Sequence, residues 1–370
     1  MKSFILALIV LMSVNAFATK ARLQALNNSF HVVDPQTMFG NPLDVMGMKN
    51  FISLESGSQT VTNTSENAEG SISYGLNDHS QFAVAVGHKD DAIMGVRSLI
   101  NNTTGLTYDT PQNPIHLFYG IKGEDVVYAF NISYSNKNVK VTPSKESSAL
   151  ASFGAQWGNY QAYVVTTLIN TAEYANNKFE GAGYVNLAGR LTLDTMTLGL
   201  DLYTAKAKSS TASVETASDN YQAIVVGLVD VRSKDGSDFF YGAQAVASDL
   251  KNRTMDKDFK RTTLPIWFGI EAKGNDWLTV RGSIQQTILI NQSKDDAGFA
   301  AGDGYLTGAT GSISDFSAAP NNTTVAMGLG FNFKNVTVDG VLKGLMTANG
   351  GPQEVNSANF LSQVGLTYNY

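Results

Sequence analysis

From Asn50 to the last residue, apolar and polar positions alternate with a period of two, as in strands whose two faces meet different surroundings. The alternation is clearest in Val126, Tyr128, Phe130, Ile132 and Tyr134, in Leu264, Ile266, Phe268 and Ile270, and in Val325, Met327, Leu329, Phe331 and Phe333. Their interleaved neighbours are mostly Ala, Gly, Ser, Asn, Thr and charged residues. The pattern predicts sixteen strands, near 50–56, 69–76, 81–88, 115–122, 125–135, 148–157, 159–169, 178–189, 195–204, 220–232, 238–248, 261–273, 276–290, 323–333, 335–346 and 360–370. The strand at 220–232 is apolar on both faces, with Ile224, Val226 and Leu228 on one and Ala223, Val225 and Val229 on the other. Its second face therefore needs cover from another subunit, an internal plug or lipid, which mildly favours an oligomer.

The connections sort by length. Tight turns are expected at 76–80, 122–125, 158–159, 194–195, 234–238, 273–276 and 334–335. Between them lie longer polar stretches at 57–68, 89–114, 136–147, 170–177, 205–219, 249–260, 291–322 and 347–359. This order predicts an all-β fold, a transmembrane antiparallel up-and-down β-barrel of about 16 strands with short periplasmic turns and long extracellular loops. Pro265 falls within an expected strand, so the ladder there should carry a bulge or begin.

Ahead of the alternating region stand two other segments. Residues 1–18 read as a signal peptide: Met1-Lys2-Ser3, an apolar run from Phe4 to Val14, and the small-x-small pattern Ala16-Phe17-Ala18. Residues 19–49 form a lead segment, a plug or a periplasmic arm, in which Ala21 to Leu26 suit a helical turn or two before Asp34-Pro35 and Asn41-Pro42 break the pattern. The barrel occupies 50–370.

Composition narrows the chemistry. The 370 residues hold no cysteine, which excludes disulfides, thiolate metal sites and a Cys nucleophile. Charged residues are 16%, and 34 glycines accompany 15 tyrosines and 19 phenylalanines, a profile suited to much non-aqueous surface. With a net charge of −6 and no basic run, nucleic acid is not an expected partner. Of the four histidines only His88 and His116, flanking the 89–114 connection, can come together. No enzyme, cofactor or metal site is expected; the carboxylates of the 291–322 connection lack EF-hand spacing.

At the carboxyl terminus Val364, Leu366, Tyr368 and Tyr370 share one face. This resembles the terminal strand of bacterial outer-membrane barrels, which implies an insertion signal read by the outer-membrane assembly machinery and a location in that membrane. The lead segment, from Ala21-Arg22-Leu23-Gln24-Ala25-Leu26 through Ser29-Phe30-His31-Val32-Val33-Asp34-Pro35 to Asn50-Phe51-Ile52-Ser53-Leu54-Glu55, is similar to the start of the major porin-like outer-membrane proteins of predatory Bdellovibrio-type bacteria. That resemblance implies an abundant porin-like protein, a homo-oligomer in rings larger than a trimer that enclose lipid.

The function expected is a passive diffusion channel for small solutes, oligomeric as a trimer or larger ring. The alternative is an occluded barrel that organises the membrane in a lipid-enclosing assembly. Candidate pore-lining charges are Glu180, Arg190, Asp201, Glu271, Lys273, Arg281, Asp339 and Lys343. They are sparse and of both signs, which implies weak selectivity. In the 89–114 connection Met94, Val96, Leu99 and Ile100 hold enough apolar surface to fold inward as a constriction or to pack on a neighbour. Small residues such as Ala326, Gly328 and Gly330 on the lumen side leave either a wide bore or room for the lead segment.

Overall fold

The structure, a computed structural model, describes residues 19–48, 50–57, 67–104, 108, 110–140, 144–254, 256–294, 322–347 and 360–370. The expected leader lies outside them, as do the tips of several connections. Sixteen strands close into one antiparallel barrel in which each pairs with its sequence neighbours and the first pairs with the last. They are β1 (Phe51–Gly57), β2 (Asn67–Asn77), β3 (Ser80–Val86), β4 (Ile115–Lys122), β5 (Val126–Val139), β6 (Ser144–Trp157), β7 (Tyr160–Tyr174) and β8 (Asn177–Leu193). There follow β9 (Met196–Thr211), β10 (Val214–Lys234), β11 (Ser237–Asn252), β12 (Lys257–Asn275), β13 (Leu278–Lys294), β14 (Asn322–Phe333), β15 (Val336–Thr347) and β16 (Phe360–Asn369). The closing seam runs in register from Phe51↔Asn369 to Gly57↔Gln363.

The apolar face points outward. On β5, Tyr128, Phe130, Ile132 and Tyr134 are exposed, while Ala129, Asn131, Ser133 and Ser135 are buried inside. Leu198, Leu200 and Leu202 on β9 and Ile224, Val226 and Leu228 on β10 repeat the arrangement. A soluble protein does not surround itself with a continuous apolar belt. Lipid stabilises one, provided every backbone N–H and C=O is paired within the wall, and closure supplies that pairing. Among the described residues no helix is long and apolar enough to cross a membrane; the crossing elements are the strands.

One end of the barrel carries the tight turns as expected. Between β10 and β11 the two-residue hairpin Asp235-Gly236 has φ of 52° and 75°, the left-handed pair that matches strand twist and that glycine adopts freely. The far end differs from expectation. The stretches 136–147, 170–177, 205–219 and 249–260, expected as long loops, are mostly ladder, with β7 and β8 separated only by 175–176 and β9 and β10 only by 212–213. Their polar composition suggested loops, but the alternation continues through it: Ala205, Ala207 and Ser209 face inward while Lys206 and Lys208 face out. The outer face has become hydrophilic above the apolar belt, and the hydrogen-bonded ladder continues. Exposed pairs such as Lys145 with Glu173 (3.4 Å) and Lys208 with Glu215 (3.4 Å) bridge neighbouring strands there.

Pro265 lies within β12, and the ladder is irregular around it. Pairing with β11 is interrupted between Ala243↔Ile266 and Val246↔Thr263, and pairing with β13 shifts between Thr262 and Thr263. The proline's missing donor thus falls in the gap.

Phe130→Arg, which sets a cation on the outer belt, is expected to lower stability in a bilayer by about 2–4 kcal/mol. Urea titration of the folded form by heat-modifiable gel mobility measures it.

Candidate functional site in the lumen

The interior is occupied by the chain itself. Thr19 is fully buried on the inner side of Gly365 of β16. From there α1 (Lys20–Ala25) crosses β16, β15, β14 and β13 with Ala21 and Ala25 against Val341. Small wall residues make the approach possible, since a Cβ at Gly328 would stand 2.6 Å from the Ala25 Cβ. Ser283 Oγ donates to the Ala25 carbonyl (2.6 Å) and Trp267 Nε1 to Ser29 Oγ (3.1 Å). Leu23, Leu26 and Val32 are buried with Val229, Phe240 and Trp267, each such side chain contributing about 1.5–3 kcal/mol of gross burial.

The breaks at Asp34-Pro35 and Asn41-Pro42 turn the segment across the lumen. Asp34 Oδ1 accepts the Gln36 N–H (3.0 Å), and Asn41 Oδ1 accepts the Leu43 N–H (3.2 Å) ahead of α2 (Asp44–Gly47). Phe39 then stacks on His88 with ring centroids 3.5 Å apart and meets His116 and Phe118 edge-on. The two histidines do converge, at 5.5 Å between centroids, but as walls around this phenylalanine. Leu43 fills the space beside Gly154, where a Cβ would come within 2.8 Å of its Cγ.

A second internal element, α3 (Asp91–Thr104), folds inward from the 89–114 connection and packs on β7, β8, β9 and β10 in the half of the barrel away from the tight turns. Val96 and Ile100 are buried among wall residues that include Tyr184, Tyr203 and Val225; Met94 is half-buried, and the Leu99 side chain is outside the described set. Arg97 Nε donates to Asn170 Oδ1 and its Nη2 to Glu146 Oε1, both at 2.9 Å. Ala223 and Val225 of the strand that is apolar on both faces lie under α3, and Val229 lies under the lead segment. The cover its inner face required is internal, so this strand gives no argument for an oligomer.

The expected lining charges are mostly paired. Arg281 donates from Nε to Glu271 Oε2 (2.7 Å) and from Nη1 to Asp339 Oδ1 (2.5 Å), and Arg22 Nε from the lead segment reaches the same Glu271 oxygen at 2.7 Å. Arg190 bonds Asp201 at 3.0 Å and lies over the rings of Phe30 and Tyr163 at 5.4 and 5.5 Å. Lys273 is exposed at the tight-turn rim, and Lys343 occupies the position opposite Ala326 on β15, its side chain outside the described set. Glu180 is a correction: it faces outward, beside Lys178 at 2.5 Å. A bulge between Ala182 and Val185, with Gly183 at φ 71°, reverses the inside–outside parity below Tyr184, so Phe179 points in and Glu180 out. Val364, Leu366, Tyr368 and Tyr370 are exposed on the outer face.

Burial pushes the Asp34 carboxyl up to about 7, against the pull of the Arg22 guanidinium 3.7 Å away. Burial of the imidazole lowers His31 to about 4, so it sits neutral over Phe240.

Sequence reading missed α3 and the Lys20–Glu69 contact (2.6 Å). The helical spacing of Ile93, Val96 and Ile100 after Asp91 was the signal available for α3. Nothing local links Lys20 to a residue 49 positions on.

No family model and no curated protein matches the chain. Among solved structures it is similar to OmpT, an outer membrane protein of Vibrio cholerae, at 10% identity over 86% of this chain and 95% of that one, with a TM-score of 0.40. It is similar to a Pseudomonas aeruginosa FadL homologue at 11% identity over 94% and 97%, with a TM-score of 0.44. The CymD monoaromatic hydrocarbon channel aligns at 10% identity over 96% and 99%, with a TM-score of 0.38. Similarity at this level assigns neither substrate nor activity.

Arg281→Ala leaves the buried Asp339 without its bonded cation, while Glu271 keeps Arg22, and is expected to cost about 3–5 kcal/mol, whereas Arg281→Met combined with Asp339→Leu costs much less. Equilibrium unfolding of the two variants measures the difference.

Proposed function

We propose that this chain is an outer-membrane transport barrel whose lumen is closed at rest by its own lead segment, with α3 narrowing the opposite half. The observation that carries this reading is the burial of the lead segment, including Leu23, Leu26, Met38 and Leu43, against lumen-facing glycines and paired charges. A segment held in this way is displaced before solute passes. Flux is then gated, where an always-open porin would conduct continuously. Once displaced, the segment exposes a wall of small polar residues with charges of both signs, and passage of small solutes is weakly selective. The tight-turn end, where both termini of the barrel lie, faces the periplasm in this reading. The outward row Val364, Leu366, Tyr368 and Tyr370 on β16 serves recognition by the assembly machinery.

Planar-bilayer recording tests the proposal. Wild type is expected to be mostly silent, and removal of residues 20–47 to give stepwise openings severalfold more frequent and larger. The cysteine-free background allows a lock: Ala25→Cys with Gly328→Cys needs about 1 Å of give to reach disulfide geometry. Oxidation should abolish the remaining openings and reduction restore them. Persistent large openings of wild type, unchanged by the oxidised lock, would sink the closed-lumen reading.

A further inference from the structure

Glu55 of β1 and Glu69 of β2 stand directly opposite each other in register, both buried on the inner wall. Like charges in that relation are destabilising unless cations balance them. Glu69 has one: its Oε2 accepts from Lys20 Nζ (2.6 Å) and from His88 Nδ1 (3.1 Å). The bonded donors of Glu55 are neutral. Gln36 Nε2 bridges the two carboxylates, 2.6 Å from Glu55 Oε1 and 2.5 Å from Glu69 Oε1, and the Lys20 backbone N–H reaches Glu55 Oε2 at 2.8 Å.

The residue before that N–H is Thr19. It is fully buried and lies on Gly365, which is the β16 partner of Glu55 in the closing seam. Two buried hydroxyl oxygens on this stretch, Thr19 Oγ1 and the Oγ1 of Thr367, which follows Gly365 on the inner face of β16, have no hydrogen-bond partner among the described residues. The nitrogen that bonds Glu55 is the amide of Lys20, and the Thr19 nitrogen lies one residue upstream of it, on a stretch that combines a carboxylate without a bonded cation with hydroxyls without partners.

We propose that Glu55 and Glu69 form the docking site for the amino terminus released when the leader is cut after Ala18, so that processing itself fixes the lead segment in the lumen. Hydrolysis of the Ala18–Thr19 bond consumes a water, leaves the carboxylate on the leader and frees the amine on Thr19, which takes up a proton. An amide nitrogen with a single N–H and no charge becomes an ammonium with three donors, enough for Glu55 and a neighbouring hydroxyl oxygen. An α-amine titrates near about 7.7–8.0 in isolation; a facing carboxylate favours its charged form, and burial opposes it. Before cleavage the same nitrogen is neutral, and the carboxylate pair lacks that charge. The inference rests on the closed-lumen reading and on cleavage at the small-x-small pattern.

The test compares two forms of the mature chain beginning at Thr19, refolded from denaturant: one with a free α-amine, one acetylated selectively at low enough pH to spare the lysines. Trypsin cutting after Lys20 and Arg22, followed by mass spectrometry, reads whether the segment is seated. The acetylated form should be cut about tenfold faster. Glu55→Gln should bring the free-amine form to a similar rate and add little to the acetylated one. If Glu55→Gln fails to fold, the two forms of the native sequence decide alone. Equal slow cutting of both forms overturns this proposal and leaves the closed lumen standing; equal fast cutting overturns both. A mature amino terminus other than Thr19 overturns this proposal.

Discussion

Every other feature of this protein depends on one exchange: the wall gives its apolar face to the outside and keeps all its backbone hydrogen bonds to itself. In hydrocarbon an unpaired N–H or C=O costs several kcal/mol, about as much as a good deal of apolar contact returns. Closure between Phe51 and Asn369 removes the open edge that a sheet of sixteen strands would otherwise present. The same closure fixes what must go inside. The residues that alternate with the belt are small or polar, and a space lined by them is filled by water or by the chain.

Here the chain fills it, and the chemistry of filling differs between the two halves. Near the tight turns, where the lead segment lies, apolar clusters around Phe39 and Trp267 alternate with tight ionic groups, Arg22–Glu271–Arg281–Asp339 on one side and Lys20–Glu69 on the other. Such groups contribute little to net stability compared with apolar packing of the same volume, but they penalise any misplacement strongly. They act as register marks for the segment. In the other half α3 adds an apolar face anchored by a single buried guanidinium, Arg97, on Glu146 and Asn170. Of the charges expected to line an open pore, Glu271, Arg281 and Asp339 are engaged with Arg22 of the lead segment or with each other, and Arg190, paired with Asp201, lies over Phe30.

How far the sequence revealed this follows from the range of each signal. Period-two alternation is local and strong, so all sixteen strands could be read, including the irregular stretch at Pro265. Composition misled where it was taken in place of period: Lys206, Lys208 and Ser210 look like loop but alternate like strand. Glu180 was misplaced because one extra residue near Gly183 inverts every side chain beyond it, and a bulge has no firm mark in a single sequence. The seating of the lead segment depends on contacts such as Ser29 with Trp267, 238 positions apart, which no local pattern encodes.

The root of that segment lies at the closing seam. Asn50, the residue before β1, is bonded into the wall: its carbonyl accepts from Tyr370 N–H at 3.3 Å and its side-chain oxygen from Gly75 N–H at 2.7 Å. The internal segment is thus tied near both of its ends to the place where the first and last strands meet, through Asn50 beside β1 and through Thr19 against Gly365 of β16. Gating as proposed asks the segment to leave the lumen, and no rung of the ladder would be lost if it did, since none belongs to it. Wall and contents share one chain and are held by different bonds: the ladder closes without the segment, and the segment is seated by wall side chains that the ladder does not need.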